Sequence, residues 1–211
     1  MTAAHLSPAK HTSGPETPFR IVFAAGGTGG HIAPGIALAE SLRAASSTHH
    51  PAPVAICSDR PIDARVLGAA VDTGVIGAFV PIPARPLARS PKKLIALAMR
   101  WGPSVRLARN AIRSARKAAP SVPLVLVTTG GFVAPPAVQA ARVEGIPVVL
   151  INLDATPGKA GRFIARRAAL RLDAALDAAL DPNTARRTGY TPIPPLVRET
   201  AMARVPAEKA R

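Results

Sequence analysis

The chain has 211 residues, enough for one sizeable domain. Its 48% hydrophobic content is too high for a disordered chain, although 43 of those residues are alanine and only seven are aromatic. A single cysteine excludes an internal disulfide framework and a multi-cysteine metal site, while a net charge of +15 predicts an anionic partner, whether nucleic acid, a phospholipid surface or a phosphorylated ligand.

Residues 1–18 contain three prolines and no apolar run, so they read as a disordered arm and not as an export signal. Residues 19–24 form a short buried strand, and 33–45 a helix with Pro34 in its first turn. Residues 54–58 are a second strand, in which Cys57 reads as a buried strand residue and not a nucleophile. The pair His49-His50 before it has no third ligand candidate nearby, which argues against a metal site. Residues 118–141 carry no charge, yet Pro120, Pro123, Pro135, Pro136 and Gly130-Gly131 interrupt them. That stretch is therefore strand (124–128), loop and helix (about 135–144), not a membrane span. Residues 147–152 supply a further strand. Apolar strands without alternation, linked by helices, predict an α/β fold of Rossmann-like type, a parallel sheet with helices on both faces. Beyond about Leu180 the chain turns Pro-rich, and 201–211 reads as a charged tail.

The basic excess is concentrated in residues 85–117, which hold ten Lys or Arg and no acid. After Pro103, Val105, Ala108, Ile112 and Ala115 step as one helical face, and Arg106, Arg109, Arg113 and Arg116 step identically one residue on. Just before them Leu94, Ile95, Leu97, Met99 and Trp101 form an apolar patch beside Lys92 and Lys93. A basic amphipathic helix of this kind suits an anionic membrane surface; core packing with a solvated face is the other reading. Nucleic acid is not expected, because stacking aromatics interleaved with the basic residues are absent apart from Trp101.

The sharpest local signal is Gly26-Gly27-Thr28-Gly29-Gly30-His31, between the first strand and its helix. Missing β-carbons let a ligand approach the backbone, and free N–H groups at the helix start favour a phosphate or another anion. No Gly-Lys-Ser/Thr follows, so this is not a P-loop, and Ile32 replaces the third glycine of a dinucleotide fingerprint. A tight strand-to-helix turn without a ligand is the alternative.

Continued as Ile32-Ala33-Pro34-Gly35, the glycine motif resembles the start of the MurG-type N-acetylglucosaminyltransferases of glycosyltransferase family 28, which convert lipid I to lipid II in peptidoglycan biosynthesis. Thr129-Gly130-Gly131-Phe132-Val133 is similar to the family's second glycine loop, where tyrosine is usual at the position of Phe132. Gly145-Ile146-Pro147-Val148-Val149-Leu150 resembles the strand before its acceptor-side loop, and Pro194-Pro195-Leu196-Val197-Arg198 loosely resembles its interdomain linker. After Leu150 the family reads histidine-glutamate-glutamine-asparagine, whereas this chain has Ile151-Asn152-Leu153-Asp154. The resemblance covers residues 19–200, the N-terminal half of a GT-B fold, and nothing here corresponds to the C-terminal donor-binding domain.

The resemblance implies an inverting hexosyl transfer at the cytoplasmic face of the membrane, with UDP-N-acetylglucosamine as donor and undecaprenyl-linked lipid I as acceptor. It implies no cofactor and no metal. His31 is the candidate base, since an imidazole titrates near neutral pH; hydrogen bonding to backbone or diphosphate is its other role. Thr28, Gly29, Gly30, Gly130 and Gly131 would bind substrate, with a helix cap as the alternative for Thr28. Asn152 and Asp154 would stand in for the family's carboxylate or hold a sugar hydroxyl, unless Asp154 caps the following helix. Arg198 would touch the sugar nucleotide or be a solvated linker residue. Lys92, Lys93, Leu94, Leu97, Trp101, Arg106, Arg109 and Arg113 would meet the membrane. A chain of this extent is expected to be inactive alone. The other expectation is a non-catalytic membrane-binding subunit, or a truncated remnant, that needs a separate donor-binding half.

Overall fold

The computed structural model describes residues 18–27, 29–45, 50–87, 90–154, 158–174 and 189–196. In chain order the elements are β1 (Arg20–Ala24), α1 (Gly29–Ala45), β2 (Val54–Ser58), α2 (Pro61–Asp72), β3 (Ala78–Ile82), α3 (Pro91–Ala118), β4 (Leu124–Thr128), α4 (Ala134–Val143), β5 (Val148–Asn152), α5 (Lys159–Ala165), β6 (Leu170–Asp173) and β7 (Thr191–Pro192). The expected tail, and all of the expected terminal arm but its last residue, lie outside the described residues.

All seven strands are parallel, in the order β3-β2-β1-β4-β5-β6-β7. The short apolar strands are explained by burial on both sides. In β1, Val22 and Ala24 point to one face and Ile21 and Phe23 to the other, and all four are buried. On the first face lie Ala108, Ile112 and Ala115 of α3, Ala137 and Val138 of α4, and Ile164 of α5. On the second lie Ile32 and Ile36 of α1 with Leu67 and Ala70 of α2. Cys57 belongs to this second core, and burial pushes its thiol up to about 12, which leaves it an unreactive protonated thiol.

Helix boundaries depart from the sequence pattern in two places. α1 begins at Gly29, four residues before the expected start, so the glycine turn runs directly into the helix and Pro34 sits inside it. Pro34 lacks the N–H that would bond the Gly30 carbonyl, and the loss falls near the start of the helix, where it interrupts least. α3 likewise runs through Pro103 and begins at Pro91, twelve residues earlier than the expected break. Immediately after that proline, the Ser104 hydroxyl donates to the Arg100 carbonyl at 2.7 Å. His50 is occupied structurally: its Nδ1 accepts the Phe19 N–H at 3.3 Å and its ring lies 4.4 Å from that of Phe19.

Candidate functional site

The strand order reverses between β1 and β4, which puts their following helices on opposite faces and opens a crevice at the carboxyl ends of these two strands. Both glycine loops lie there, one after each strand. Thr128 anchors the second loop to the first strand: its hydroxyl donates to the Ala24 carbonyl at 2.7 Å and accepts the Gly130 N–H at 3.1 Å. The Thr129 hydroxyl donates to the His31 carbonyl at 3.0 Å. Gly131, at φ +77°, lets the loops meet: a β-carbon there would lie 3.1 Å from the Gly26 carbonyl oxygen and 3.2 Å from His31 Cδ2.

The structure thus brings His31, Gly130 and Gly131 together with the α1 start at Gly29 and Gly30. The His31 Nδ1 is buried and has no partner among the described residues. A buried ring nitrogen left unpaired is costly, so this is a place where a bound group would relieve a penalty. Thr28 lies outside the described residues, as does Arg198.

Two side chains absent from the expected site residues, Asp63 and Arg60, organise the first loop together with Phe132 of the second glycine motif. Asp63, fully buried in the first turn of α2, accepts the Gly27 N–H at 2.9 Å, the Ser58 N–H at 3.1 Å and the Ser58 hydroxyl, all on Oδ2. Arg60 donates to the Gly27 carbonyl at 2.6 Å, and its guanidinium sits 5.0 Å from the centre of the Phe132 ring. Phe132 in turn covers Gly27, where a β-carbon would come within 1.9 Å of the ring. The available signal was Arg60-Pro61-Ile62-Asp63, separated from the second strand by one residue, with proline and an acid in a helix's first turn.

Asn152 and Asp154 lie at the end of β5, beside β4 in the sheet. Asn152 is buried and committed locally: its amide donates to the Asp154 carbonyl oxygen at 2.6 Å and to Asp173 Oδ1 at 3.1 Å. Asp154 is exposed and does not cap α5, whose N-cap is Gly158.

The basic segment divides into two parts. The stripe of Ala108, Ile112 and Ala115 is core, with Val105 half-buried against it. Arg109 and Arg113 converge on Glu144 Oε1 at 2.9 and 3.0 Å, while Arg116 reaches Glu144 Oε2 at 3.5 Å and its carbonyl at 2.6 Å. Hydrogen bonds from Arg109 and then Arg113 hold the Glu144 carboxyl below its ordinary 4.5. Arg106 stays exposed.

Towards the start of α3, Lys92 and Lys93 are exposed, and so are Leu94 (42%), Ile95 (61%) and Met99 (73%). Leu97 and Trp101 instead line an apolar cavity of about 510 Å³ that runs from Gly131 and Phe132 towards Leu87 and Phe163. Trp101 is oriented by its indole N–H, which donates to Gln139 at 2.7 Å. Among the described residues no helix is long and apolar enough to cross a membrane.

Comparison with known proteins agrees with this geometry. The N-acetylglucosamine transferase of Gloeothece citriformis named for UDP-N-acetylglucosamine and N-acetylmuramyl-(pentapeptide) pyrophosphoryl-undecaprenol is 32% identical over 163 residues, covering 72% of this chain and 37% of that protein. The protein of the same name from Frankia casuarinae is 34% identical over 151 residues, covering 69% and 36%. This chain therefore spans little more than a third of the length of these relatives. The crystal structure of Acinetobacter baumannii MurG matches with a TM-score of 0.50 at 21% identity, over 74% of this chain and 42% of that one, a likeness of fold. The signature of the glycosyltransferase family 28 N-terminal domain matches residues 21–170, and the chain belongs to that family.

Proposed function

We propose that this chain is the acceptor- and membrane-binding domain of a MurG-like glycosyltransferase, which moves N-acetylglucosamine from UDP-N-acetylglucosamine to the undecaprenyl-linked acceptor lipid I. The domain in this reading extends over residues 19–200. The observation that carries it is continuity. The crevice at His31, Gly130 and Gly131 opens into an apolar cavity through Phe132, and that cavity is lined by Leu97 and Trp101 on the helix whose start exposes Lys92, Lys93 and Leu94. A polar head in the crevice and a hydrocarbon tail in the cavity match an amphiphilic acceptor held at an anionic surface.

In the transfer, the acceptor hydroxyl oxygen bonds to the anomeric carbon as His31 takes its proton, and the bond to the diphosphate breaks with its electron pair leaving on UDP. Gly29 and Gly30 at the start of α1 supply N–H donors for an anionic group, and the positive end of the helix favours it. Asp154, exposed two residues after β5, would accept from a sugar hydroxyl in this reading. Asn152, tied to Asp154 and Asp173, shapes that loop. Arg198 is assigned to the donor side with a separate donor-binding half.

The test is an equilibrium binding and transfer assay with a short-chain prenyl-diphosphoryl-muramoylpentapeptide. The 211-residue chain should bind this acceptor and transfer sugar only when a donor-binding domain of a relative is added. The reason is that rate depends on donor and acceptor being held in alignment, an advantage that reaches about 7–11 kcal/mol. Absence of acceptor binding would refute the proposal.

A further inference from the structure

We propose that Arg60 and Asp63, at the entry to α2, are positioning residues that lock the two glycine loops into a single unit. The inference rests on the reading of the glycine crevice as the ligand site, and it assigns that site a supporting frame on a third element.

Gly27 is held from both sides of its backbone. Its N–H donates to Asp63 Oδ2 at 2.9 Å, and its carbonyl accepts from Arg60 Nη1 at 2.6 Å. With φ at +94°, Gly27 stands in a conformation that side chains rarely adopt, so the loop needs external fixing to keep one shape. Asp63 does not act as an ordinary helix-start acid. The N-cap of α2, Arg60, has no side-chain cap bond, and the Asp63 hydrogen bonds go to Gly27 and Ser58. Asp63 is 0% exposed, and its Oδ1 has no partner among the described residues. A buried carboxylate with one oxygen fully engaged and the other unpaired is costly for the fold, which fits a residue retained for where it holds the loop.

Arg60 carries the fixing across the crevice. Its guanidinium bonds the first loop at Gly27 and lies over Phe132 of the second. Phe132 packs on the face of Gly27 that has no β-carbon, and Gly131 next to it abuts both the Gly26 carbonyl and the His31 ring. The chain of contact therefore runs from α2 through loop one and loop two to the imidazole. Disturbing Arg60 should move His31 although the two share no contact in this chain of neighbours.

Amide hydrogen exchange and NMR chemical shifts test this on the whole chain without any ligand. In the unaltered protein the Gly27 amide should be protected although it lies outside the strand ladder. Asp63→Ala should speed its exchange about tenfold or more, the scale of losing one hydrogen bond to a charged group. Asp63→Asn can present an oxygen to the same donors and should keep most of the protection. Arg60→Ala should shift the Gly131, Phe132 and His31 resonances with the melting temperature unchanged.

The proposal is overturned by an unprotected Gly27 amide in the native chain, by equal losses in Asp63→Ala and Asp63→Asn, or by Arg60→Ala shifts confined to loop one. If Asp63→Ala does not fold, the native chain and Asp63→Asn decide. Failure of acceptor binding would strike the functional reading and leave these loop measurements standing.

Discussion

His31 reaches the crevice because α1 starts early: as the third residue of a helix that begins at Gly29, it lies over Gly131, where a side chain would crowd its ring. In an assembly that includes a donor-binding half, His31→Ala should lower turnover by roughly 10²–10⁴, the usual worth of a general acid or base. Circular dichroism should show the fold retained, since His31 is only half-buried and its imidazole fills no part of the apolar core. An alanine variant with full turnover would remove the base assignment. Glu144 supports a separate prediction. Its carboxyl lies below its ordinary 4.5 in the folded chain because Arg109 and Arg113 hydrogen-bond it, so its stabilising contribution is complete above that value. As pH falls below 4.5 the unfolded chain binds a proton that the folded chain does not, and the contribution is lost progressively until pH has passed through the lower folded value. Melting temperatures measured from pH 7 down to about 3 should therefore drop less steeply in Glu144→Gln, with the remaining slope including Asp59, which Arg85 also holds low. Identical slopes in the two proteins would refute this role.

The contact between β1 and α1 depends on one missing atom. A β-carbon on Gly35 would come within 1.8 Å of the Phe23 ring, which is buried at 4% exposure. Gly35→Ala gains roughly 0.5–1 kcal/mol of helix preference. It must also displace a ring in a packed core, at a cost of roughly 1–3 kcal/mol. Thermal unfolding should show a lower melting temperature, and an unchanged or raised value would mean that the ring yields freely. The same elements show why some of the fold was legible in the sequence. β1, β2, β4 and β5 are buried on both faces, so each is an apolar run that stands out between glycine and proline punctuation. β6 is less legible, because Leu170 is exposed and Arg171 and Asp173 interrupt the run. The glycine crevice was legible from its two motifs, whose meeting follows from the strand-order reversal. Asp63 was not, because Gly27 comes from the end of another strand, 36 residues away, and only the fold brings it to the start of α2 beside the local partner Ser58. Pro103 misled for a local reason: a proline that reads as a helix start is tolerated inside a 28-residue helix already held by packing on α4 and the sheet.

At the scale of the whole molecule, charge is distributed by face. α3, α4 and α5 share one side of the sheet and carry Lys92, Lys93, Arg100, Arg106, Arg109, Arg113, Arg116, Lys117, Arg142 and Arg162, against the single acid Glu144 at the end of α4. Glu144 engages three of the arginines, but the exposed cations near the start of α3 have no acid on their own helix. Beside them Leu94, Ile95 and Met99 are exposed, which places charge and hydrocarbon at one end of one face. Such a surface should partition to anionic vesicles by both terms together, with hydrocarbon giving depth and cations giving lipid selectivity. Cosedimentation should therefore be strong with anionic vesicles at low salt, weak with neutral ones, and reduced at high salt, because charge attraction is screened beyond about 8–10 Å near physiological ionic strength. Each cation near the surface contributes about 1 kcal/mol, so Lys92→Ala with Lys93→Ala should lower partitioning about 30-fold at low salt. Ile95→Ser with Met99→Ser should weaken binding at every salt concentration, since the hydrophobic term is not screened. Binding indifferent to lipid charge and to salt would leave the cations of this face a solvated surface with no part in lipid contact.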